Sequence, residues 1–403
     1  MTIASGVAKQ LVYKAESTWG TVPSAASAQA LRRVTSDLNL TKQTYQSAEI
    51  RTDYQVADFR HGVRSVAGTV RGELSPGTYE DFLAAALRKT FTAVTNITGL
   101  SLTIAASGDY YTVTRSSGSY LSDGIKVGQV VRLTAGSLAA GNLNKNLLVV
   151  GLTALAATVL VLNGSTLTAE GPIASCTMSV PGKESYVPTS GHTDSSFAIE
   201  HWFSDIAQSE VFSGCKVNSV GIALPPSGIS TIEFGFMGKD VTTAAAQYFT
   251  SPSAASTSGV VAAVNGAVAV NGTRVALLTG LQINIAGGMT AEPVVGSNTF
   301  PDIFEGRVVV SGQFSAYFED ATLRDLFLNE TEASIVAAFT TANTAAADFL
   351  SITLPRIKVG GASKDDGEKG IVQTFPFQAL LNTSGGSGTS SHATTIAIQD
   401  SLA

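Results

Sequence analysis

The chain contains two copies of one pattern, and that duplication restricts its architecture more than any other feature. Moved along by 244 residues, Asp58-Phe59-Arg60-His61-Gly62-Val63-Arg64-Ser65-Val66-Ala67-Gly68 falls without a gap on Asp302-Ile303-Phe304-Glu305-Gly306-Arg307-Val308-Val309-Val310-Ser311-Gly312. The Asp and both glycines coincide and the hydrophobic parity is kept, and a recurrence at this distance points to a repeated structural unit. Each copy continues in the same way. Val66, Val70 and Leu74 alternate with Ser65, Ala67, Thr69, Arg71 and Glu73, a period of two that predicts a strand with one buried and one polar face. In the second copy Val308, Val310, Phe314 and Phe318 form the apolar set, Ser311, Gln313 and Ser315 the polar one, and Val309 slightly spoils the polar face.

A helix follows each strand. Ser75-Pro76-Gly77-Thr78 supplies start signals ahead of Tyr79, Phe82, Leu83, Ala86 and Leu87 at helical spacing; Asp320 is the expected cap of a stripe made by Leu323, Leu326 and Phe327. Both helices are expected to lie on a sheet. Further strands are predicted at Phe197 to Phe203, Lys216 to Leu224 and Ile229 to Met237 in the first half. In the second they fall at Leu350 to Val359, Ile371 to Leu381 and Thr394 to Gln399, matching in number and order.

The symmetry is broken by about 95 residues, Thr92 to Tyr186, present only in the first half. Six strand candidates (Ser101 to Ala105, Tyr110 to Thr114, Gln129 to Leu133, Leu147 to Thr153, Val159 to Asn163, Cys176 to Val180) with Gly and Asn at the turns suggest a small barrel or sandwich. Tolerated insertions lie on surfaces, so this module is expected to project outward. The domain division is then 1–91 with 187–250, a discontinuous first domain; 92–186, the insertion; 251–266, a Ser/Ala/Gly linker; and 267–403, the second domain.

A chain of 403 residues is long enough for two or three domains, and 44% hydrophobic with 14% charged residues disfavours disorder. The formal charge of −6 argues against a grip on nucleic acid phosphates or anionic lipid. Cys176 and Cys215 are too few for a disulfide scaffold and read as buried thiols. Met1 to Gln10 lacks the pattern of an export signal, and Leu147 to Leu162, as a helix, reaches only about 24 Å against a hydrocarbon core of about 30 Å, so two strands are the better reading.

Chemistry leaves little trace. His61, His192, His201 and His392 show no metal-ligand or nucleophile spacing, and Gly238-Lys239 lacks the rest of a phosphate loop. Asp365-Asp366-Gly367-Glu368 is flanked by Lys364 and Lys369 and reads as a solvated hairpin tip. No catalytic, cofactor-binding or metal-binding residue is expected, and no enzymatic activity. Arg51, Arg60, Arg64 and Arg71 are interleaved with Glu49, Asp53, Asp58 and Glu73, which favours paired interface charges over a nucleic-acid patch, with Arg71 beside Glu73. Trp19 and Trp202 fit either core anchors or contact residues.

Several short motifs, in order, resemble the major tail tube proteins of tailed phages with long non-contractile tails. They are Glu16-Ser17-Thr18-Trp19-Gly20-Thr21-Val22-Pro23, Ser47-Ala48-Glu49-Ile50-Arg51, Gly68-Thr69-Val70-Arg71-Gly72-Glu73-Leu74, His192-Thr193-Asp194-Ser195-Ser196-Phe197 and Phe212-Ser213-Gly214. The resemblance covers most of the first half, and the duplication carries it to the second. It implies a mainly β fold: duplicated tail-tube β-sandwich or barrel domains, each with a flanking helix, beside the inserted β module. It also implies a structural virion protein whose inner strands join across subunits into a barrel, in rings that stack into a tail tube passing double-stranded DNA without binding it.

A ring of that family usually holds six tube domains, so a chain with two needs three copies, and a trimeric ring with pseudo-sixfold symmetry is expected. Tape measure and tail terminator proteins are the implied partners, the virion tail the implied place, and the host cytoplasm the site of assembly. The residues expected to face the channel are Ser65, Ala67, Thr69, Arg71, Glu73, Ser311, Gln313 and Ser315. The loops Gln43 to His61 and Gly287 to Glu305 are long for hairpin connections, and Ile50, Tyr54 and Phe59, with Val294, Phe300 and Phe304, are expected to be buried on the next ring. The alternatives are another virion ring or decoration protein, or a β-rich surface adhesin, which normally carries an export signal.

Overall fold

The alternating stretches set the architecture. In the structure, a computed structural model that describes residues 3–403, Val66, Val70 and Leu74 are buried while Ala67 and Arg71 between them are exposed. Four strands of the first half, β1 (Asn39–Gln46), β2 (Phe59–Glu73), β3 (Gln208–Leu224) and β4 (Thr231–Gly238), are matched by four of the second. These are β5 (Leu278–Ala286), β6 (Val309–Tyr317), β7 (Phe349–Val359) and β8 (Val372–Ala379). All pair antiparallel in the order β1-β2-β4-β3-β5-β6-β8-β7, so one sheet runs through both halves.

The 244-residue shift holds in the pairing. Val70 stands opposite Phe234 and Gly68 opposite Phe236; in the second half Phe314 stands opposite Phe375 and Gly312 opposite Phe377. The seam between halves is the outer edge of β3 against β5, from Ser219↔Ala286 to Leu224↔Leu281. Val220, Ile222, Ile283 and Ile285 are buried there in the one core cluster that the halves share.

The strands β3 and β7 each take further strand partners along their first part. The first part of β3 pairs with Phe197–Phe203 and Asp240–Ala244, and Phe197–Phe203 pairs in turn with Lys9–Ala15. The first part of β7 pairs with Ala333–Thr340 and Ala397–Asp400, and Ala333–Thr340 with Gly266–Val270. The strand correspondence expected from sequence is therefore displaced by one. Phe197–Phe203 answers to Ala333–Thr340, and Ala397–Asp400 occupies the place of Asp240–Ala244. The residues 251–266 do not dangle: Ala30 donates to the Ser253 carbonyl, Val261 to that of Leu74, and the Ser258 hydroxyl to that of Pro76.

The helices differ. The first, α1 (Glu80–Leu87), buries Phe82, Leu83 and Ala85 to Leu87, and the Phe82 ring lies 4.7 Å from Tyr13, 5.0 Å from Phe197 and 5.2 Å from Phe236. Ser75 and Thr78 do not cap it; their hydroxyls bond each other at 2.7 Å and Tyr79 takes the cap position. In α2 (Thr322–Leu328) the Asp320 carboxylate accepts the Thr322 N–H at 2.8 Å, which satisfies one of the open donors of the first turn. Leu323 and Leu326 are only half-buried, and Phe327, expected in the stripe, is exposed because no second layer covers α2.

The insertion closes on itself. Six strands, Ile97–Ser107, Tyr110–Arg115, Val130–Ala135, Leu147–Leu152, Ala156–Val161 and Glu170–Ser179, form a closed barrel around its own core of Leu102, Val113, Val131, Leu147, Val159 and Met178. The chain enters and leaves it side by side, where Thr92 and Glu184 exchange two backbone hydrogen bonds. The barrel sits against the second half: Val130, Leu148, Val150, Leu160 and Leu162 pack on Ala267, Ala269, Val336, Ala338 and Phe349. No helix among the described residues is long and apolar enough to cross a membrane.

Three of the sequence motifs meet in one cluster. The Glu16 carboxylate accepts from the Gly20 N–H (2.8 Å), the Ser196 hydroxyl (2.7 Å) and the Gly214 N–H (2.8 Å), and the Trp19 indole donates to the Gly214 carbonyl at 3.1 Å. These residues tie the start of the chain to the bend of β3, which makes Trp19 an anchor.

Asp400 supplies a pH-dependent term. It is buried, it accepts the Gly77 and Leu402 N–H groups, and burial pushes its carboxyl up to about 6. A folded value above the unfolded value of 3.8 means that the native state holds the proton more tightly. Its stabilising contribution is complete below about 3.8 and is lost as pH rises through about 6, a swing of about 3 kcal/mol. In urea unfolding, the difference in stability between wild type and Asp400→Asn is expected to fall by that amount over this window; parallel profiles refute the assignment.

Candidate functional site

The face of the eight-stranded sheet turned away from the core is polar from one edge to the other. One row of register neighbours crosses it: Arg71, Glu233, Gly221, Asn284, Ser311, Gln378 and Lys358. The next row runs from Glu73 through Thr231, Ala223, Gln282 and Gln313 to Pro376. Gln313 donates to the Gln282 side-chain carbonyl at 3.2 Å across the strands. The alternating neighbours Val70, Phe234, Ile222, Ile283, Val310, Phe375 and Phe377 are all buried, so strand periodicity alone fixes which side chains face out.

The expected residues Ser65, Ala67, Thr69, Arg71, Glu73, Ser311, Gln313 and Ser315 all lie on this face; Ala67, Arg71 and Gln313 are exposed and the rest half-buried. Arg71 faces Glu233 across the register rather than pairing along its own strand with Glu73. Gln282, Asn284, Glu233 and Gln378 belong to the same face and were not picked out in the sequence. The alternation in Leu281, Gln282, Ile283, Asn284 and Ile285 is the signal that could have found the first two.

Among the described residues the outer edge of β1 has no strand partner, and neither has that of β7 and its continuation beyond Ile357, where Ala333 is the last residue paired with it. On one side lies β1, whose hairpin with β2 extends into a tip where Ile50 and Tyr54 are each 99% exposed, with Val56 and Phe59 also open. The charges of this hairpin pair among themselves: Arg51 with Asp53 at 2.8 Å and Arg60 with Asp58 at 2.7 Å, while Arg64 reaches Asp240 at 2.8 Å. The Arg51 guanidinium beside Asp53 holds that carboxyl below its ordinary value. On the other edge Ser363–Lys364 continues β7 and pairs with β8 on one side only.

The second long loop behaves differently from the first. Ile303 is buried, Arg64 donates to the Asn298 carbonyl at 2.9 Å, and Arg88 to those of Gly306 and Gly287 at 2.7 and 3.0 Å. Lys216, 1% exposed, bonds Asp194 (2.7 Å), Asp302 (3.3 Å) and the Ile303 carbonyl (2.9 Å). The base of this loop is thus fastened to the first half. Phe300 is half-buried, and Val294 and Phe304 stay exposed, with Phe304 and Thr290 bridging the loop.

No group of three His, Cys, Asp or Glu side chains among the described residues is arranged to hold a metal ion. His201 bonds the Ser36 hydroxyl at 2.7 Å, and His392 stacks on Tyr186 at 4.4 Å beside Glu184. Both cysteines are buried and unpaired. The surfaces that the fold leaves open are therefore a wide polar sheet face, two strand edges and a hairpin tip, an arrangement suited to assembly. A comparison with protein families agrees: the family model described as "Phage tail tube protein" matches residues 6–379. No curated protein matches the chain.

Proposed function

Because the chain belongs to the phage tail tube protein family, a family of structural virion proteins that assemble into the tail tube, we propose that three copies close side by side into a ring with pseudo-sixfold symmetry and that such rings stack into the tube. The observation that carries this reading is the sheet: each half contributes four strands, the two sets join edge to edge, and among the described residues the outer edges of β1 and of the end of β7 with its continuation stay unpaired. A repeated head-to-tail contact closes when its rotation divides a full turn, and two domains per chain make three chains equivalent to six.

In this reading the polar face lines the channel. Ser65, Ala67, Thr69, Arg71, Glu73, Ser311, Gln313 and Ser315 face the DNA, joined by Gln282, Asn284, Glu233 and Gln378. A wall of amide and hydroxyl groups with few charges gives phosphates no counterion release to gain, so double-stranded DNA passes without being held. The hairpin tip with Ile50 and Tyr54 reaches the next ring, and Val294, Phe300 and Phe304 belong to the axial contact from the second half. The units are 1–91 with 187–250, 92–186 as an outward module, 251–266 as a connection, and 267–403. The order of the motifs from Glu16 to Gly214 supports a long non-contractile tail; assembly in the host cytoplasm, with a tape measure inside the tube and a terminator at its end, follows from that role.

Negative-stain electron microscopy of the purified protein tests the reading. End-on averages are expected to show a six-lobed wall with three outer projections; compact monomers at high concentration refute it. Replacing Ile50 and Tyr54 by Ser is expected to leave rings intact and cut stacking about tenfold or more, since loss of two exposed anchors costs a few kcal/mol per contact. Tubes of normal length from that variant remove the tip from the axial contact.

A further inference from the structure

The proposed ring leaves open what joins one copy to the next, and the duplication supplies the answer. The strands, the loop and the helix end at the seam inside the chain each have a counterpart at an outer edge. The register equates β3 with β7 and its continuation: Val217 pairs with Phe236, and Val359 with Phe377, the residue equivalent to Phe236. Lys216 then matches Lys358, and Gly221 matches Ser363, because Glu233 pairs with Gly221 while its equivalent Thr374 pairs with Ser363. On the other side β5 matches β1: Ile285 pairs with Val310 as Leu40 pairs with Val66, and Leu281 with Phe314 as Ser36 pairs with Val70.

The loop that fastens the inner seam has its counterpart as well. Asp302 and Ile303 answer to Asp58 and Phe59. Asp302 holds the buried Lys216 and Ile303 is itself buried, whereas Asp58 and Phe59 are exposed and Lys358, the match of Lys216, is exposed at the opposite edge. The neighbouring charges are reversed in sign. Across the inner seam Arg88, left-handed at the end of α1, bonds Glu305 at 3.2 Å. Its counterpart after α2 is Glu330, also left-handed, and the match of Glu305 is His61, next to Arg60. One edge thus presents Lys358 paired with Glu330, and the other presents Asp58 paired with Arg60, two ion pairs able to exchange partners.

We infer that chains join by repeating the inner seam, with Asp58 and Phe59 of one copy docking on Lys358 and Glu330 of the next. The edge beyond β7 pairs antiparallel with β1 of that copy, Ser363 opposite Asn39 and Ala362 opposite Leu40, the register copied from Gly221↔Asn284 and Val220↔Ile285. The inference rests on the ring proposed above and assigns its lateral contact. It also gives Phe59 a lateral role instead of the axial one expected from sequence, because its match Ile303 is buried at the inner seam.

Charge reversal and cross-linking test it in the full chain. Asp58→Lys and Lys358→Glu are each expected to reduce the fraction of protein in rings about tenfold, and the double variant to restore most of it, since rim ion pairs set register and reject like charges. Opposite residues on antiparallel strands have Cα atoms about 4.5 to 5.5 Å apart, within disulfide range. Oxidised Asn39→Cys/Ser363→Cys rings are expected to run as covalent trimers in denaturing gels, while Asn39→Cys/Asp365→Cys rings are not. Rings that form normally in both charge variants and do not cross-link overturn this contact and leave the ring reading standing. Wild-type protein that forms no ring overturns both.

Discussion

Excising the barrel, with Thr92 joined to Glu184 through a short Gly/Ser turn, is expected to make the chain aggregate. The join itself is undemanding, because the two residues already exchange backbone hydrogen bonds and the closure adds little entropy cost. The consequence lies elsewhere. Ala269, Val336, Ala338 and Phe349 are covered by Val130, Leu148, Val150 and Leu160 of the barrel, and removal turns that face of a β-sheet toward water. Contiguous exposed apolar surface on strands is a site for association. The barrel also satisfies polar groups of the second half: Gln399 bonds both the N–H and the carbonyl of Val130, and Ser351 donates to the Gly128 carbonyl at 2.6 Å. Size-exclusion chromatography of the excised chain is expected to show mostly void-volume material, rescued by Val336→Thr with Ala269→Thr. Equal solubility without those changes shows that the barrel covers nothing the fold needs covered.

The same contact explains which parts of the fold could be read in the sequence. Strands with one wet face announced themselves: Ser65 to Leu74 alternates, and so does its copy. The barrel strands were legible because glycine and asparagine punctuate them. Ala333–Thr340 and Gly266–Val270 were missed as strands, the first residue of the latter being assigned to the linker, because both faces are buried, one on the core and one on the barrel. A strand covered on both sides shows no period of two. Asn271-Gly272, which turns this strand back toward Thr273 with φ of 50° and 77°, was a hairpin signal in plain view.

For the open surfaces the division is similar. The polar face of β2 and β6 was legible from parity alone, and β5 would have been by the same test. The anchoring of the second loop was not, because Asp302 meets Lys216 and Gly306 meets Arg88 across 86 and 218 residues of chain. Nothing local in Gly287 to Glu305 encodes partners so distant. What the sequence did hold was the repeated Asp, and its meaning emerged only when one copy was found bound and the other free.

Lysines on the polar face are expected to have the largest functional effect. Gln282 and Gln313 adjoin each other near the middle of the sheet, so Gln282→Lys with Gln313→Lys adds two charges per chain without touching the core. In the proposed ring of three that is six cations at one level, repeated along the tube, and a protein making about 6 to 10 phosphate contacts gains about 10³ to 10⁵ in DNA affinity between 200 and 50 mM salt. Wild-type particles are expected to release DNA freely, while the variant assembles normally but ejects slowly, with a rate that recovers steeply as salt is raised. The same number of lysines at Ser116 and Ser117, exposed on the barrel, separates charge from place: on an outer surface they bind DNA without slowing ejection. Slow ejection from the barrel variant and normal ejection from the sheet variant put the channel on the other side of the molecule. Slowing confined to the sheet variant means that the face left wet by strand alternation is the one past which the DNA moves, and that its scarcity of cations is what lets it move.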